Sequence, residues 1–139
     1  MTLEFVDTNV LLCAYDEGAG DRHDRAIELV GSLGRARRAA TSIQILQEFY
    51  VNVTRKGAVP LSVTDARARL RMLSRWPTHS PLGHDVIAAT EIAETHQLSF
   101  WDAMVVRSAI RMDCPVLWSE DLNAGQLISG VEIRNPFTE

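Results

Sequence analysis

The sequence predicts an α/β fold in which an open, mostly parallel β-sheet is flanked by helices. Two observations support this prediction. Short apolar segments typical of strands alternate with longer segments of helical periodicity, and acidic residues follow two of the strand-like segments. A chain of 139 residues is long enough to bury one hydrophobic core. It contains no internal repeat, low-complexity tract or linker-like segment, so we expect residues 1–139 to form a single domain.

Four segments have the apolar composition and the short length of buried strands. They span residues 2–6, 39–41, 115–119 and 131–133. The first ends at Asp7, and the third is followed closely by Asp121. The carboxyl ends of parallel strands meet at one edge of a sheet, where ligands bind in open α/β folds. We therefore expect Asp7 and Asp121 to lie at the same edge.

Six segments have helical periodicity or helix-boundary signals. They span residues 9–15, 22–33, 43–56, 64–75, 85–96 and 100–112. Apolar residues recur at helical spacing from Ala26 to Leu33, and Gly34 is expected to end that helix. Ser42 is a suitable N-cap for the third helix, which we expect to run to about Lys56, with Gly57 at its end.

Composition and charge argue against several classes of protein. A hydrophobic content of 46% and a charged content of 23% are typical of a globular protein, not a disordered one. Asp7 and Asn9 interrupt the apolar run over residues 5–12, so we expect neither a membrane span nor a secretory leader. Cys13 and Cys114 form no disulfide framework, which predicts free thiols in the cytoplasm. A net charge of −4 argues against binding nucleic acid through overall positive charge.

Each of four acidic residues has an ordinary explanation as well as a functional one. Asp7 precedes a helix, and Asp102 follows Ser99 at the spacing of a capping box, so both suit helix capping. Glu48 fits the solvent-exposed side of a helix, and Asp121 fits a polar turn. Asp102 also falls within a broad apolar arc of its helix, where an unpaired carboxylate is costly. We therefore expect Asp102 to be capped, paired or bound to metal.

Taken together, these acids favour a metal site. Carboxylate oxygens from dispersed elements are the ligands that Mg²⁺ prefers, usually with several waters retained. Clustered carboxylates repel one another until a cation binds, and a bound metal can turn water into a nucleophile for phosphodiester hydrolysis. The sequence has no P-loop, no G-x-G-x-x-G motif and no His/Cys metal set, and its four scattered histidines are interpreted as surface residues.

Four segments, in order along the chain, resemble the acid-bearing motifs of the PIN-domain family, and specifically of VapC-type toxins of toxin–antitoxin pairs. They are residues 5–10 (FVDTNV), 42–49 (SIQILQEF), 98–103 (LSFWDA) and 118–123 (WSEDLN). Each motif is weak alone, but the ordered set spans nearly the whole chain.

The resemblance implies a carboxylate pocket that binds Mg²⁺ or Mn²⁺ and cleaves RNA with metal-activated water. By position, the implied catalytic and metal-holding residues are Asp7, Glu48, Asp102 and Asp121. The implied supporting and lining residues are Thr8, Asn9, Ser119 and Asn123. The resemblance also implies a small antitoxin partner, a homodimer and a cytoplasmic location. Position 123 is Asn where many relatives have another acid, which argues against a second tightly held metal.

Two alternatives remain open. The strand followed by Asp7, Thr8 and Asn9 is similar to the nucleophile loop of haloacid-dehalogenase-type phosphatases, although Asn9 stands where such enzymes carry a general acid. The other alternative is a PIN-like module that has lost activity and only binds a partner. The presence of all four acids argues against that module.

Three arginines recur every fourth residue over the predicted helix of residues 64–75. They are Arg67, Arg71 and Arg75. The spacing fits either a solvated helix face or a stripe that contacts RNA, and we favour the solvated face because exposed helices commonly carry such charges.

Overall fold

The computed structural model describes residues 2–55 and 59–138, and its strands form one mixed sheet. The strands are β1 (Glu4–Val6), β2 (Ala39–Ser42), β3 (Thr78–His79), β4 (Val116–Trp118), β5 (Leu127–Ile128) and β6 (Val131–Arg134). Their order is β3-β2-β1-β4-β6-β5, and every pairing is parallel except that of β5 with β6. The predicted mostly parallel sheet is confirmed.

Helices flank this sheet. The α-helices are α1 (Thr8–Tyr15), α2 (Asp21–Arg35), α3 (Ile43–Val53), α4 (Val63–Leu73), α5 (Gly83–His96) and α6 (Phe100–Arg111). A short 3₁₀ helix, Glu17–Ala19, connects α1 to α2 through Gly20, which has a positive φ of 65°. Within the described ranges, no helix combines the length and the apolar character needed to cross a membrane.

The strand order reverses beside β1. From β1 the chain moves outward through β2 and β3, and it then returns with β4 to the other side of β1. In open α/β sheets ligands bind at such a reversal, beyond the carboxyl ends of the strands. Asp7 directly follows β1, and Asp121 follows shortly after β4. Both acids therefore lie at the point of the sheet that best suits a ligand site.

One hydrophobic cluster supports this edge. Phe5 and Val6 are adjacent in β1 and are both fully buried, so helices and chain cover both faces of the central strand. They belong to the same cluster as Leu11 of α1, Phe49 of α3 and Leu117 of β4. Because close-packed interiors resist displacement, this packing gives the residue after β1 a defined position.

The predicted end of α2 at Gly34 was wrong. The helix continues through Gly34 to Arg35. The left-handed residue that closes it is Arg37, with a φ of 57°, and the N–H of Arg38 then donates to the carbonyl of Leu33 at 2.9 Å. A left-handed residue just past a helix is usually glycine, and here an arginine takes that conformation.

The predicted end of α3 at about Lys56 was also wrong. This helix ends at Val53, and the hydroxyl of the next residue, Thr54, donates to the carbonyl of Tyr50 at 2.9 Å. Hydroxyl side chains compete in this way with helix continuation. Lys56 and Gly57 lie outside the described residues.

Two strands were not predicted from the sequence, and one predicted helix is shorter than expected. Strands β3 and β5 have two residues each, which is too short for any alternating pattern to be recognised. Helix α4 ends at Leu73, so Arg75 lies in the turn beyond it. Arg67, Arg71 and Arg75 therefore do not form one stripe along the helix.

A buried acid, Asp85, joins α5 to α6 away from the sheet reversal. Its carboxylate is 1% exposed, accepts a hydrogen bond from the N–H of Leu82 at 2.9 Å and pairs with Nε of Arg107 at 2.9 Å. Nε2 of His79 lies 3.5 Å from the same carboxylate, and Nδ1 of His79 lies 2.8 Å from Oγ of Ser108. The interpretation of every histidine as a surface residue was therefore wrong for His79, whose side chain is only 10% exposed.

Candidate active site

Four carboxylates from four separate segments line one cavity of about 280 Å³ at the sheet reversal. The residues around it are Asp7, Thr8, Asn9, Leu12, Gln44, Glu48, Asn52, Asp102, Val105 and Asp121. All four acids singled out in the sequence are among them. The cavity has no arginine or lysine among these lining residues, so its charge is strongly negative.

Asp7 is the most deeply buried of the four acids. One carboxylate oxygen accepts the N–H of Thr8 at 2.7 Å, so Asp7 does cap α1, and the other accepts the hydroxyl of Ser119 at 2.8 Å. Burial, with a smaller effect from the charges of Glu48 and Asp121, raises the pKa of Asp7 from 3.8 to about 6 against the lowering effect of the two hydrogen bonds. The capping role and the cavity role belong to the same residue.

The side-chain amide of Asn9 connects Asp7 to the loop that carries Asp121. Its Nδ2 lies 3.3 Å from Oδ2 of Asp7, 3.4 Å from Oγ of Ser119 and 3.1 Å from Oδ2 of Asp121. Its Oδ1 accepts the N–H of Glu120 at 3.1 Å. Asp121 lies outside any helix or strand. These contacts, with the bond from its own N–H to the hydroxyl of Ser119 at 3.2 Å, hold it in place.

A second amide, that of Gln44, connects Glu48 to α6. Nε2 of Gln44 donates to Oε2 of Glu48 at 3.3 Å and to the carbonyl of Trp101 at 3.2 Å. Trp101 directly precedes Asp102, so Gln44 joins the helix of one acid to the helix of another. The hydroxyl of Thr8 donates to the other oxygen of Glu48 at 2.8 Å and links this pair to the segment of Asp7.

Asp102 was the acid with two competing interpretations, a helix cap or a ligand. Its backbone N–H donates to the hydroxyl of Ser99 at 3.1 Å, which makes Ser99 the N-cap of α6. The carboxylate of Asp102 is half-buried at the cavity, and its pKa is raised by burial and by the charges of Asp121 and Glu48, against a hydrogen bond with Ser99. The backbone of Asp102 therefore takes part in the cap of α6, and its carboxylate lines the cavity together with the other acids.

Two cavity residues were missed in the sequence, and one expected residue lies elsewhere. Gln44 and Asn52 stand four residues before and after Glu48 on α3, so helical spacing alone could have identified them. Ser119, fully buried, supports Asp7 from behind rather than lining the cavity. Asn123 is exposed and is not among the lining residues.

The donor atoms of the cavity fit a hydrated divalent cation. Among the described residues, no three His, Cys, Asp or Glu side chains lie close enough together to hold a metal ion directly. The carboxylates instead surround the cavity, and Mg²⁺ typically keeps several waters and takes only one or two carboxylates. Burial and, to a smaller extent, the neighbouring carboxylates raise the pKa values of Asp7 and Asp102, so keeping both groups ionised costs free energy that a cation would offset.

The raised pKa of Asp7 predicts an unusual pH dependence of stability in the metal-free protein. Because the folded-state pKa of about 6 exceeds the ordinary 3.8, the folded state binds the proton more tightly. Its free energy of unfolding should therefore rise as the pH falls from 7 to 5, by about 1 kcal/mol from Asp7. Urea denaturation in EDTA at the two pH values measures this change.

The matched variant for this measurement is Asp7→Asn, which cannot titrate. Burial lowers the pKa of His79, so protonation of His79 acts in the opposite direction, and subtracting the Asn variant cancels its contribution. Equal pH dependence in parent and variant would contradict the assignment of the effect to Asp7.

Comparison with known proteins identifies the family. A family model described as the PIN domain matches residues 5–127, which is most of the chain. The chain belongs to the PIN-domain family. Membership of this family argues against the haloacid-dehalogenase-type phosphatase, the alternative suggested by the segment Asp7-Thr8-Asn9. No curated protein sequence matches the chain with significance.

Solved structures share the PIN fold of this chain at low sequence identity. A toxin–antitoxin complex from Klebsiella pneumoniae matches with a TM-score of 0.70 and 18% identity over 96% of this chain and 98% of the other. VapC20 of Mycobacterium tuberculosis, titled a sarcin–ricin loop cleaving toxin, matches with a TM-score of 0.68 and 21% identity over 84% of this chain and 90% of the other. DNA-bound VapBC from Salmonella typhimurium matches with a TM-score of 0.68 and 18% identity over 98% of this chain and 99% of the other. At these identities the likeness establishes the fold.

Proposed function

We propose that this PIN-domain chain is the toxin of a toxin–antitoxin pair, an endoribonuclease that requires Mg²⁺ or Mn²⁺. The observation that carries the proposal is the single cavity in which four separate segments place Asp7, Glu48, Asp102 and Asp121. The structural relatives support it, since one is titled a toxin that cleaves the sarcin–ricin loop and others are toxin–antitoxin assemblies.

In the proposed reaction the carboxylates hold the cation, and Thr8, Asn9 and Ser119 hold the carboxylates. When bound, the cation would supply a water of lowered pKa and stabilise negative charge on the scissile phosphate. Asp7 lies at the floor of the cavity and Asp121 at its exposed rim, so a phosphodiester approaching from solvent first meets negative charge. Because the carboxylates repel the phosphates of RNA, we expect this lining to admit RNA only after the cation is in place.

The test of the proposal is an RNA-cleavage assay on the purified protein. A structured RNA should be cleaved with Mg²⁺, left intact with EDTA, and cleaved again when Mg²⁺ is restored in excess. Cleavage that persists in EDTA would contradict the metal requirement. Intact RNA under every metal condition would favour the inactive binding module.

The partner in this proposal is a small antitoxin encoded beside the chain. Two further cavities, of about 230 and 590 Å³, continue from the carboxylate cavity along α1, and consecutive cavities share lining residues. The shared residues are Asn9 and Leu12 in the first step and Tyr15, Asp16, Val59 and Leu61 in the second. This series of adjacent cavities along α1 would accept an extended segment that ends at the acids, where a bidentate Arg or a Lys would pair with Asp7 and Asp102.

Inhibition by this partner is a testable outcome. Because a basic side chain among the carboxylates competes with the cation, the complex co-purified with the neighbouring gene product should have no ribonuclease activity. Replacing the basic residues in the inserted segment of the antitoxin by alanine should restore cleavage while the complex persists. Full cleavage by a saturated complex would remove this mode of inhibition.

We also propose a homodimer that acts in the cytoplasm. The start of α5 exposes three large apolar side chains within residues 82–87, namely Leu82, Val86 and Ile87, which are 63%, 42% and 63% exposed. Exposed apolar residues of this size are typical of interaction surfaces when they are contiguous. Light scattering of the purified chain measures the mass directly, and Ile87→Asp should shift it toward the monomer.

A further inference from the structure

The side-chain amide of Asn9 occupies the space between two acids that repel each other. An amide nitrogen has two hydrogens, and Nδ2 of Asn9 has three acceptors within 3.4 Å, of which two are carboxylate oxygens. These are Oδ2 of Asp7 and Oδ2 of Asp121, at 3.3 and 3.1 Å. One small donor group therefore bridges the deepest acid of the cavity and the acid at its rim.

The other end of the same amide fixes its orientation. Oδ1 of Asn9 accepts the N–H of Glu120 at 3.1 Å, so the amide oxygen points to the backbone donor and the nitrogen must point to the carboxylates. Glu120 is itself held by an ion pair with Arg22, whose guanidinium lies 4.4 Å from the centre of the Phe137 ring. The ion pair with Arg22 therefore holds the loop of Asp121 on one side, and the hydrogen bonds of Asn9 hold it on the side of the cavity.

We propose that Asn9 is a positioning residue whose amide stands in for the cation between Asp7 and Asp121 in the metal-free protein and is displaced when metal binds. This inference rests on the proposed function, because it assumes that the cavity takes a divalent cation. A bridging N–H donor offsets part of the repulsion between the two carboxylates and keeps Asp121 near Asp7. A cation held between these two carboxylates would have to displace the amide that lies there, so the amide would compete with it.

Because the amide competes with the cation, the expected effect of removing it on metal affinity is opposite to that of removing a residue that supports a metal site. Removing a residue that merely shapes a metal site weakens metal binding. Removing a competing amide should instead strengthen it. Isothermal titration of Mg²⁺ or Mn²⁺ alone into purified Asn9→Ala should give a dissociation constant on the order of 10-fold lower than that of the parent, the value of one charge-assisted hydrogen bond. In EDTA the same variant should melt on the order of 5 °C lower than the parent.

Matched variants keep the test decisive. Gln47→Ala removes an amide from the helix that carries Glu48, but Gln47 is exposed and is not among the residues that line the cavity, so the metal dissociation constant should stay within about twofold of the parent. Asn9→Ser, whose shorter side chain cannot span both carboxylates, repeats the measurement if the alanine variant does not fold.

The outcomes separate the two proposals. A parent that binds metal, with Asn9 variants that bind equally or more weakly, overturns the role of Asn9 and leaves the ribonuclease proposal standing. A parent that binds neither Mg²⁺ nor Mn²⁺ overturns both. Tighter binding by the Asn9 variants, with no change in Gln47→Ala, supports the stand-in role.

Discussion

Asp102→Asn should lower the rate of RNA cleavage by roughly 100-fold or more while the protein remains folded. The substitution removes one of the mutually repelling charges around the cavity, and the pKa of Asp102 is already raised by burial and by Asp121 and Glu48. In EDTA the variant should therefore be as stable as the parent or more stable. Mg²⁺ should stabilise the variant less than the parent, because the stabilisation by a ligand falls as its dissociation constant rises.

Asp65→Asn is the matched control for this experiment. Asp65 occupies the same place in α4 that Asp102 occupies in α6, since its N–H donates to the hydroxyl of Ser62, the N-cap, at 3.1 Å. Asp65 is exposed and does not line the cavity. Its Asn variant should cleave RNA normally and gain the full stabilisation from Mg²⁺. Thermal melts with EDTA and with Mg²⁺, beside one cleavage assay, compare the two variants. Normal cleavage by Asp102→Asn would remove Asp102 from the site.

The second large effect is expected at Asp85, the buried acid that joins α5 to α6. Burial acts to raise its pKa, but the N–H of Leu82, Arg107 and two nearby imidazoles outweigh burial and hold it at about 2. Asp85→Ala removes the helix-capping acceptor and leaves Arg107, only 19% exposed, without its carboxylate. Breaking one partner of a buried pair typically costs about 3–5 kcal/mol. We expect a melting temperature lower by on the order of 10 °C.

Asp65→Ala is the control for this prediction because Asp65 is exposed at the same helical position. Its cost should stay within about 0.5 kcal/mol, as for other exposed side chains. The stabilising effect of Asp85 should be present above the unfolded-state pKa of 3.8 and should be lost as the pH falls toward about 2. Denaturation curves at pH 7 for the parent and both variants give the comparison. A loss at Asp85 no larger than that at Asp65 would contradict its role as a buried ion-pair partner.

Three aspartates mark the limit of what could be predicted from the sequence about the site. Asp65, Asp85 and Asp102 each stand three residues after the N-cap of a helix, so their position in the helix alone does not distinguish their roles. Their roles differ only through what the fold brings near them. Solvent surrounds Asp65, arginines and histidines surround Asp85, and other carboxylates surround Asp102. The four acids of the cavity were assigned through the resemblance of four ordered segments to the acid-bearing motifs of the PIN-domain family.

The fold was predicted where segments were long enough to have a period. The start of helix α3 after its N-cap, Ser42, and the central strand β1 lie close to where the sequence places them. Strand β3 could not be found because two residues carry no pattern, and it exists only through parallel pairing with β2. The end of α2 could not be placed because it depends on Arg37 adopting a left-handed conformation that sequence rules assign to glycine.

The bridge between Asn9 and Asp121 joins residues that are 112 positions apart, and this separation in sequence governs when the proposed active site can assemble. β1 is synthesised first, whereas its neighbour β4 is synthesised late, and pairing them requires closure of the whole intervening chain. A ribosome-bound chain that has reached only α5 carries Asp7 and Glu48 but neither α6 nor β4. Such a chain has half of the carboxylates and no assembled cavity. Translation itself would therefore keep the proposed toxin inert until most of it has been made.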